Sequence, residues 1–301
     1  MKQKLRSSAF LLLATVIWGS AFVAQSVGMD HVGPFTFQAI RCFMAVIGLL
    51  PIIALTDRNK KDGKTFLSRF FDRKLCRGGI LCAIPLFIAV NCQQVGLVTT
   101  DAGKSAFLTA MYIVFVPVFG IFVGKKPSLA AIISVLVAVA GLYFLSCAGV
   151  SAIELGDILT ILCAMAFAVQ ILVVDHYAPS VDGLRLNCLQ CLFCAIGSTI
   201  VMFCTEMPTM EGISGSWWQM CYAGFLSMGV AYSLQIIGQK DLDPTLAALI
   251  MSLESLFAVL FGWLFLQETM TKWEITGCIL MLIAILITQF PTNPNKETGA
   301  S

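Results

Sequence analysis

The chain has 301 residues, 58% of them hydrophobic and 12% charged, with a net charge of +2 and a mean hydropathy of +0.88. Soluble domains carry about 45–50% apolar and about 25% charged residues, so this composition excludes a water-covered globule and makes lipid the solvent for most of the surface. The small net charge makes no case for a nucleic-acid partner.

Ten apolar runs of about 17–24 residues, the length that a bilayer core asks of a helix, follow one another along the chain. The first, Ala9–Val27, holds Trp18 and leads at once into another span, with no small-residue cleavage site before a polar chain, so it reads as a membrane helix and not a signal peptide. Pro34–Leu55 carries Arg41, and a long basic loop around residues 56–78 follows it. Gly79–Val98 carries Asn91, Gln93 and Gln94; Ser105–Val123 carries Tyr112; Leu129–Cys147 is almost wholly apolar. In the second half, Ile158–Val174 has Gln170 as its lone amide, and Leu184–Cys204 holds Cys188, Cys191 and Cys194. Trp217–Ile237 carries Tyr232 and Gln235, Pro244–Leu266 carries Glu254, and Trp273–Phe290 completes the set. Gly and Pro punctuate the loops, as at Gly33-Pro34, Lys126-Pro127 and Asp243-Pro244, and the polar tail 291–301 is predicted to be disordered.

The two halves repeat one another. Gln93, Gly96, Asp101, Ala106 and Gly120 recur 142 positions later as Gln235, Gly238, Asp243, Ala248 and Gly262 (243 − 101 = 142). Gln38, Arg41, Cys42 and Ala45 face Asn187, Gln190, Cys191 and Cys194 at a separation of 149 (190 − 41 = 149), and the longer loop of the first half takes up the difference. With the N-terminus inside, 16 Lys and Arg fall in cytoplasmic segments, the Arg58–Arg77 cluster foremost, against Lys104 and Lys272 outside. That bias orients both termini to the cytoplasm. Five spans per half is an odd number, so the second half enters the membrane upside down. The expected fold is all-α and integral to the membrane: ten transmembrane helices in two inverted five-helix repeats, residues 1–147 and 148–290, with a cytoplasmic tail, 291–301. Inverted repeats place substrate sites near the bilayer midplane at their interface.

Several short runs carry a family resemblance: Trp18-Gly19-Ser20-Ala21-Phe22, Arg41-Cys42-Phe43, Gln94-Val95-Gly96-Leu97 with Thr99-Thr100-Asp101-Ala102, and Ala106-Phe107-Leu108-Thr109 leading to Val116-Pro117. In the second half they are Gln239-Lys240, Ala247–Glu254, and Leu264-Phe265-Leu266 closing on Gln267-Glu268. In this order and spacing the chain resembles the EamA group of the drug/metabolite transporter superfamily over nearly its whole length. It departs at Lys125-Lys126, where a Gly-Glu pair is commoner, so Glu268 lacks a symmetric mate. The resemblance implies two inverted bundles around a central cavity, and efflux of small metabolites, without naming the metabolite; the expected cargo is an amino acid or related compound and the expected site the plasma membrane.

Polar groups inside the spans mark the place where chemistry is possible. Arg41 sits about eight residues into its helix and Glu254 about ten, roughly 12 and 15 Å deep at about 1.5 Å per residue. A charge at such depth costs about 2.5–3.5 kcal/mol on the mildest insertion scale, so it requires a partner or a wet cavity. Glu254 reads as a proton carrier or a ligand for a substrate cation, or else as a structural carboxylate bound to Arg41 or to hydroxyls. Arg41 is its candidate charge partner, unless it snorkels outward. Trp18, Asn91, Gln94, Tyr112, Gln170, Tyr232, Gln235 and Glu254 are expected to line one substrate cavity; the competing reading of each amide is an interhelical hydrogen bond. Tyr112 is the repeat counterpart of Glu254 (254 − 142 = 112). Gly120, Gly141, Gly262 and Gly277 read as helix-packing contacts.

Other classes fit less well. The only histidines, His31 and His176, are expected in loops on opposite sides, so no nucleophile–base pair or metal set forms with them. Gly63-Lys64-Thr65 and Gly103-Lys104-Ser105 both lack the first glycine of a nucleotide-binding loop. No mid-helix lysine exists to hold a retinal. The expectation is therefore a transporter, not an enzyme, with no cofactor, no metal and no nucleic acid. Its partners are a small-molecule substrate and the bilayer. Uptake or exchange through the same fold, or a non-transporting scaffold, are the alternatives.

Overall fold

The computed structural model describes residues 2–58, 63, 65–125, 127–146, 154–266 and 271–289. Lys60, Lys61, Lys64, Lys126, Gln267-Glu268 and the tail 291–301 lie outside the described residues. Among the described residues all regular structure is helical, as a bilayer demands of a chain that must satisfy its own backbone. The ten spans are α1 (Lys2–Gly28), α2 (Pro34–Asp57), α3 (Arg73–Gly96), α4 (Ala102–Phe122), α5 (Leu129–Ser146), α6 (Leu155–Tyr177), α7 (Gly183–Thr205), α8 (Trp217–Gln239), α9 (Pro244–Met251 continuing as Leu253–Leu266) and α10 (Lys272–Gln289). Eight are long and apolar enough to cross a membrane; α5 and α10 are apolar over Leu129–Phe144 and Ile275–Ile287. His176, expected in a loop, belongs to the last turn of α6.

The helices start and stop where the sequence supplies caps. Asp72, Asp182 and Asp243 accept hydrogen bonds from first-turn amides of α3, α7 and α9, and Pro34 and Pro244 open α2 and α9. Both α4 and α9 are interrupted near their middles, at Met111 and Ser252, where the ladder tightens to i→i+3 bonds such as Val114 N to Met111 O (3.0 Å) and Ser255 N to Ser252 O (3.2 Å). Tyr112 begins the segment after the first break, and Glu254 is the second residue of the segment after the other.

Packing follows a pseudo-two-fold pattern that exchanges the halves. Each of α2 and α5 packs on its own counterpart, α7 and α10 respectively. Helix α3 packs on α6 as α8 packs on α1, and α4 meets α6 as α9 meets α1. At the α5–α10 contact a Cβ on Gly141 would come within 3.0 Å of Gly277 O and of Leu280 Cβ, so the two backbones meet because no side chain stands between them.

The α2–α7 pair is clasped at both ends by equivalent positions. Asp57 and Glu206 are 149 apart, as are Thr36 and Arg185. At one end Asp57 pairs with Arg185, which is 2% exposed and also bonds Asp182 at 2.8 Å. Arg69, on the short helix Phe66–Phe70, reaches Asp57 at 2.9 Å, and the Phe70 ring lies 5.4 Å from the Arg185 guanidinium. At the other end Glu206 accepts from Phe35 N (2.8 Å), Thr36 N (2.8 Å) and Thr36 Oγ1 (2.6 Å), next to the second short helix, Met210–Gly215. A carboxylate at the close of the second helix of each repeat thus grips the first turn of the second helix of the other.

Candidate functional site

A cavity lies between the halves, with about 470 Å³ of space counted to its mouth. Its wall takes Trp18, Phe22 and Gln25 from α1, Arg41 from α2, Gln93 from α3 and Tyr112 from α4. The second half supplies Phe167 and Ile171 from α6, Ser227, Met228, Tyr232 and Gln235 from α8, and Met251 and Glu254 from α9.

Arg41 is 2% exposed and held from both sides. Its Nε donates to Gln38 Oε1 at 2.6 Å, one turn earlier on α2, its Nη1 donates to Gln25 Oε1, and the Phe37 ring lies 5.9 Å away. The guanidinium is therefore fixed in the wall and does not snorkel. Glu254 is 5% exposed, and its Oε1 has no hydrogen-bond partner among the described residues. No ion pair joins it to Arg41, so the half of the structural reading that paired the two does not describe this arrangement; the hydroxyl that stands beside the carboxyl is that of Tyr112. Trp18 and Tyr232 meet edge to face at 5.1 Å, and Tyr112 meets Phe167 at 6.4 Å. Trp18 Nε1 and Gln235 Oε1 are buried atoms without partners among the described residues, and Tyr112 Oη stands beside the Glu254 carboxyl without meeting strict hydrogen-bond geometry. Several unpaired donors and acceptors thus surround one cation and one anion.

The eight residues expected in one cavity divide. Trp18, Tyr112, Tyr232, Gln235 and Glu254 line it; Asn91, Gln94 and Gln170 are buried but do not. Asn91 exchanges hydrogen bonds with Ser198 of α7 (3.0 and 3.1 Å) and donates to Phe87 O, an interhelical tie. Gln170 lies behind the wall, accepting from Gln235 Nε2 at 3.1 Å. Gln94 points elsewhere, and it is the adjacent Gln93, bonded to Thr109 Oγ1 at 3.1 Å, that faces the cavity.

Gln25, Gln93 and Ser227 are wall residues that the sequence reading did not assign to the site. Two of them had a signal: Gln25 lies two helical turns from Trp18 on the same face, and Gln93 is the repeat counterpart of Gln235. Ser227 had none, because it sits in a π-helical stretch, Tyr222–Ala231, where the wider turn shifts every side chain off the 3.6-residue pattern. Asn187 of α7 steadies that stretch, its Nδ2 contacting Met228 O and Gly229 O (both 3.0 Å) and Ser233 Oγ (2.9 Å).

Inverted five-helix repeats with a cavity between them that carries one cation and one anion in its wall define a multi-pass membrane transporter. The profile of the EamA-like transporter family matches residues 5–147 and 154–290, one match per half, and the chain belongs to that family. An uncharacterized transporter of Archaeoglobus fulgidus is 30% identical over 290 residues, spanning 95% of this chain and 86% of its own. The uncharacterized transporter YoaV of Bacillus subtilis is 21% identical over 292 residues, 95% of this chain and 97% of its own. A solved crystal structure superposes with a TM-score of 0.77 over 94% of this chain and 96% of that one, at 17% identity, which establishes the shared fold.

Proposed function

We propose that the chain is a secondary transporter that exports a small zwitterionic metabolite, an amino acid or related compound, across the plasma membrane. The observation that carries this reading is the pair Arg41 and Glu254: opposite charges in the wall of one buried cavity, not bonded to each other. A fixed guanidinium suits a carboxylate, which it can grip through two parallel hydrogen bonds. A carboxylate with an unpartnered oxygen suits an ammonium group, which the faces of Trp18 and Tyr232 also attract. A zwitterion would neutralise both charges at once and remove the penalty of holding them unpaired in a low-dielectric interior.

Export follows the family resemblance, and the basic loops support both termini in the cytoplasm, with residues 1–147 and 148–290 as the two halves that exchange access to the cavity. Glu254 is the group suited to carry a proton between the two states, neutral when the cavity is empty of cations and charged when it holds one. The test is counterflow of labelled amino acids by the full chain in proteoliposomes, alongside analogues that lack either the amino or the carboxyl group. Exchange of the zwitterions alone is expected; analogues missing one charge that exchange as fast as the parent would defeat this reading.

A further inference from the structure

Behind the cavity wall the side-chain amides form a directed chain. An amide can present either its oxygen or its nitrogen to a neighbour, and the choice is ordinarily ambiguous. Here both ends are anchored on backbone carbonyls, which only accept. At one end Gln239 Nε2 donates to Ile171 O at 3.2 Å, so Gln239 must turn its oxygen to Gln235, whose Nε2 donates to it at 2.9 Å. At the other end Asn187 Nδ2 faces Met228 O and Gly229 O, leaving its oxygen to accept from Gln190 Nε2 at 2.9 Å. Gln190 Oε1 then accepts from Gln170 Nε2 (3.4 Å), and Gln170 Oε1 accepts from Gln235 Nε2 (3.1 Å). Both arms demand the nitrogen of Gln235. Its oxygen is left over, buried, without a partner, on a residue that lines the cavity.

We infer that the relay makes Gln235 an obligate hydrogen-bond acceptor of the substrate site, so that the part of the substrate reaching it is a hydrogen-bond donor, the primary ammonium of the zwitterion. This rests on the zwitterion reading above and adds to it that N–H donors, and not positive charge alone, are recognised. Rotating the Gln235 amide to offer a donor to the cavity would turn its oxygen toward Gln170 Oε1 and Gln239 Oε1, acceptor against acceptor at both contacts.

The experiment uses proteinogenic amino acids, each paired with its N,N,N-trimethyl counterpart, which keeps the charge and removes every N–H. Binding is read as thermal stabilisation of the purified full chain in detergent, so no transport is required. The unsubstituted chain is expected to bind the primary ammonium form more tightly. In Gln235→Met that preference should shrink about ten-fold, the worth of one hydrogen bond to a charged group. In Gln190→Met, which cuts the far arm but leaves Gln239 to orient Gln235, it should persist. Should Gln235→Met fail to fold, Gln235→Lys serves instead: its ammonium donates to both Gln170 and Gln239, and its charge cancels in the ratio. A preference undiminished at position 235, or lost equally in Gln190→Met, overturns the inference while leaving the zwitterion reading standing. No binding by any pair overturns the zwitterion reading, and the inference with it.

Discussion

Glu206 closes α7 and caps the first turn of α2, and Glu206→Gln tests how strongly that clasp holds the halves together. The carboxylate accepts three hydrogen bonds, from Phe35 N, Thr36 N and Thr36 Oγ1, at 2.6–2.8 Å. Glutamine keeps one accepting oxygen but turns an amide nitrogen toward Thr36 N–H, donor against donor; the threonine hydroxyl can reverse and accept instead. One charge-assisted bond is lost, at about 1.5–3 kcal/mol, together with about 0.3–1 kcal/mol for an anion at a helix N-terminus. The sum of about 2–4 kcal/mol, at roughly 2 °C per kcal/mol for a chain of this size, lowers the unfolding midpoint by about 4–8 °C. The assay is thermal unfolding of the purified chain in detergent, with Asp175→Asn as the reference. Asp175 pairs with Lys125 at 2.5 Å, but that lysine is 39% exposed, and such pairs contribute about 0–1 kcal/mol. A Glu206→Gln midpoint no lower than that of Asp175→Asn would refute the reasoning.

Three other outcomes are expected. Gly33→Ala should also lower the midpoint, because its Cβ would fall 2.3–2.5 Å from the Glu206 carboxyl atoms and displace the clasp from the opposite side; a midpoint equal to that of the unsubstituted chain argues against this. Glu254→Gln should abolish accumulation driven by a proton gradient while sparing part of the downhill counterflow; vesicles that still concentrate substrate at the normal rate would remove Glu254 from the coupling. In a chain with Cys76 and Cys204 replaced, Arg73→Cys should react with an impermeant thiol reagent only from the cytoplasmic side and Glu211→Cys only from outside, and the reverse pattern would invert the topology.

The line between what could be read from the chain and what could not runs through particular residues. Gln93 and Gln94 are neighbours on α3, about 100° apart around its axis. Either could face inward, and only the packing of α3 on α6 turned Gln93 to the cavity and Gln94 away. Asn91 has the same character as Gln235 in sequence, an amide deep in a span, yet Ser198 lies within reach and takes it as an interhelical tie. The Asp57–Arg185 and Glu206–Thr36 clasps obey the 149-residue repeat but share no residue type, one being an ion pair and the other a helix cap, so identity matching passes over them.

By itself the sequence determined the solvent, the number of spans and the inverted repeat. The reason is that in lipid a helix satisfies its own backbone, so length and hydropathy decide it locally, segment by segment. It also determined that Arg41 and Glu254 are deep, since depth is only a count of residues from a helix end. The tertiary structure alone decided the rotation of each helix about its axis, and with it which polar groups meet. It separated Arg41 from Glu254, bound Arg41 to Gln25 and Gln38, and opened a π-helical stretch in α8. It also left Gln235 with one free oxygen, because the direction of an amide is set by partners on other helices, and no span carries that information alone.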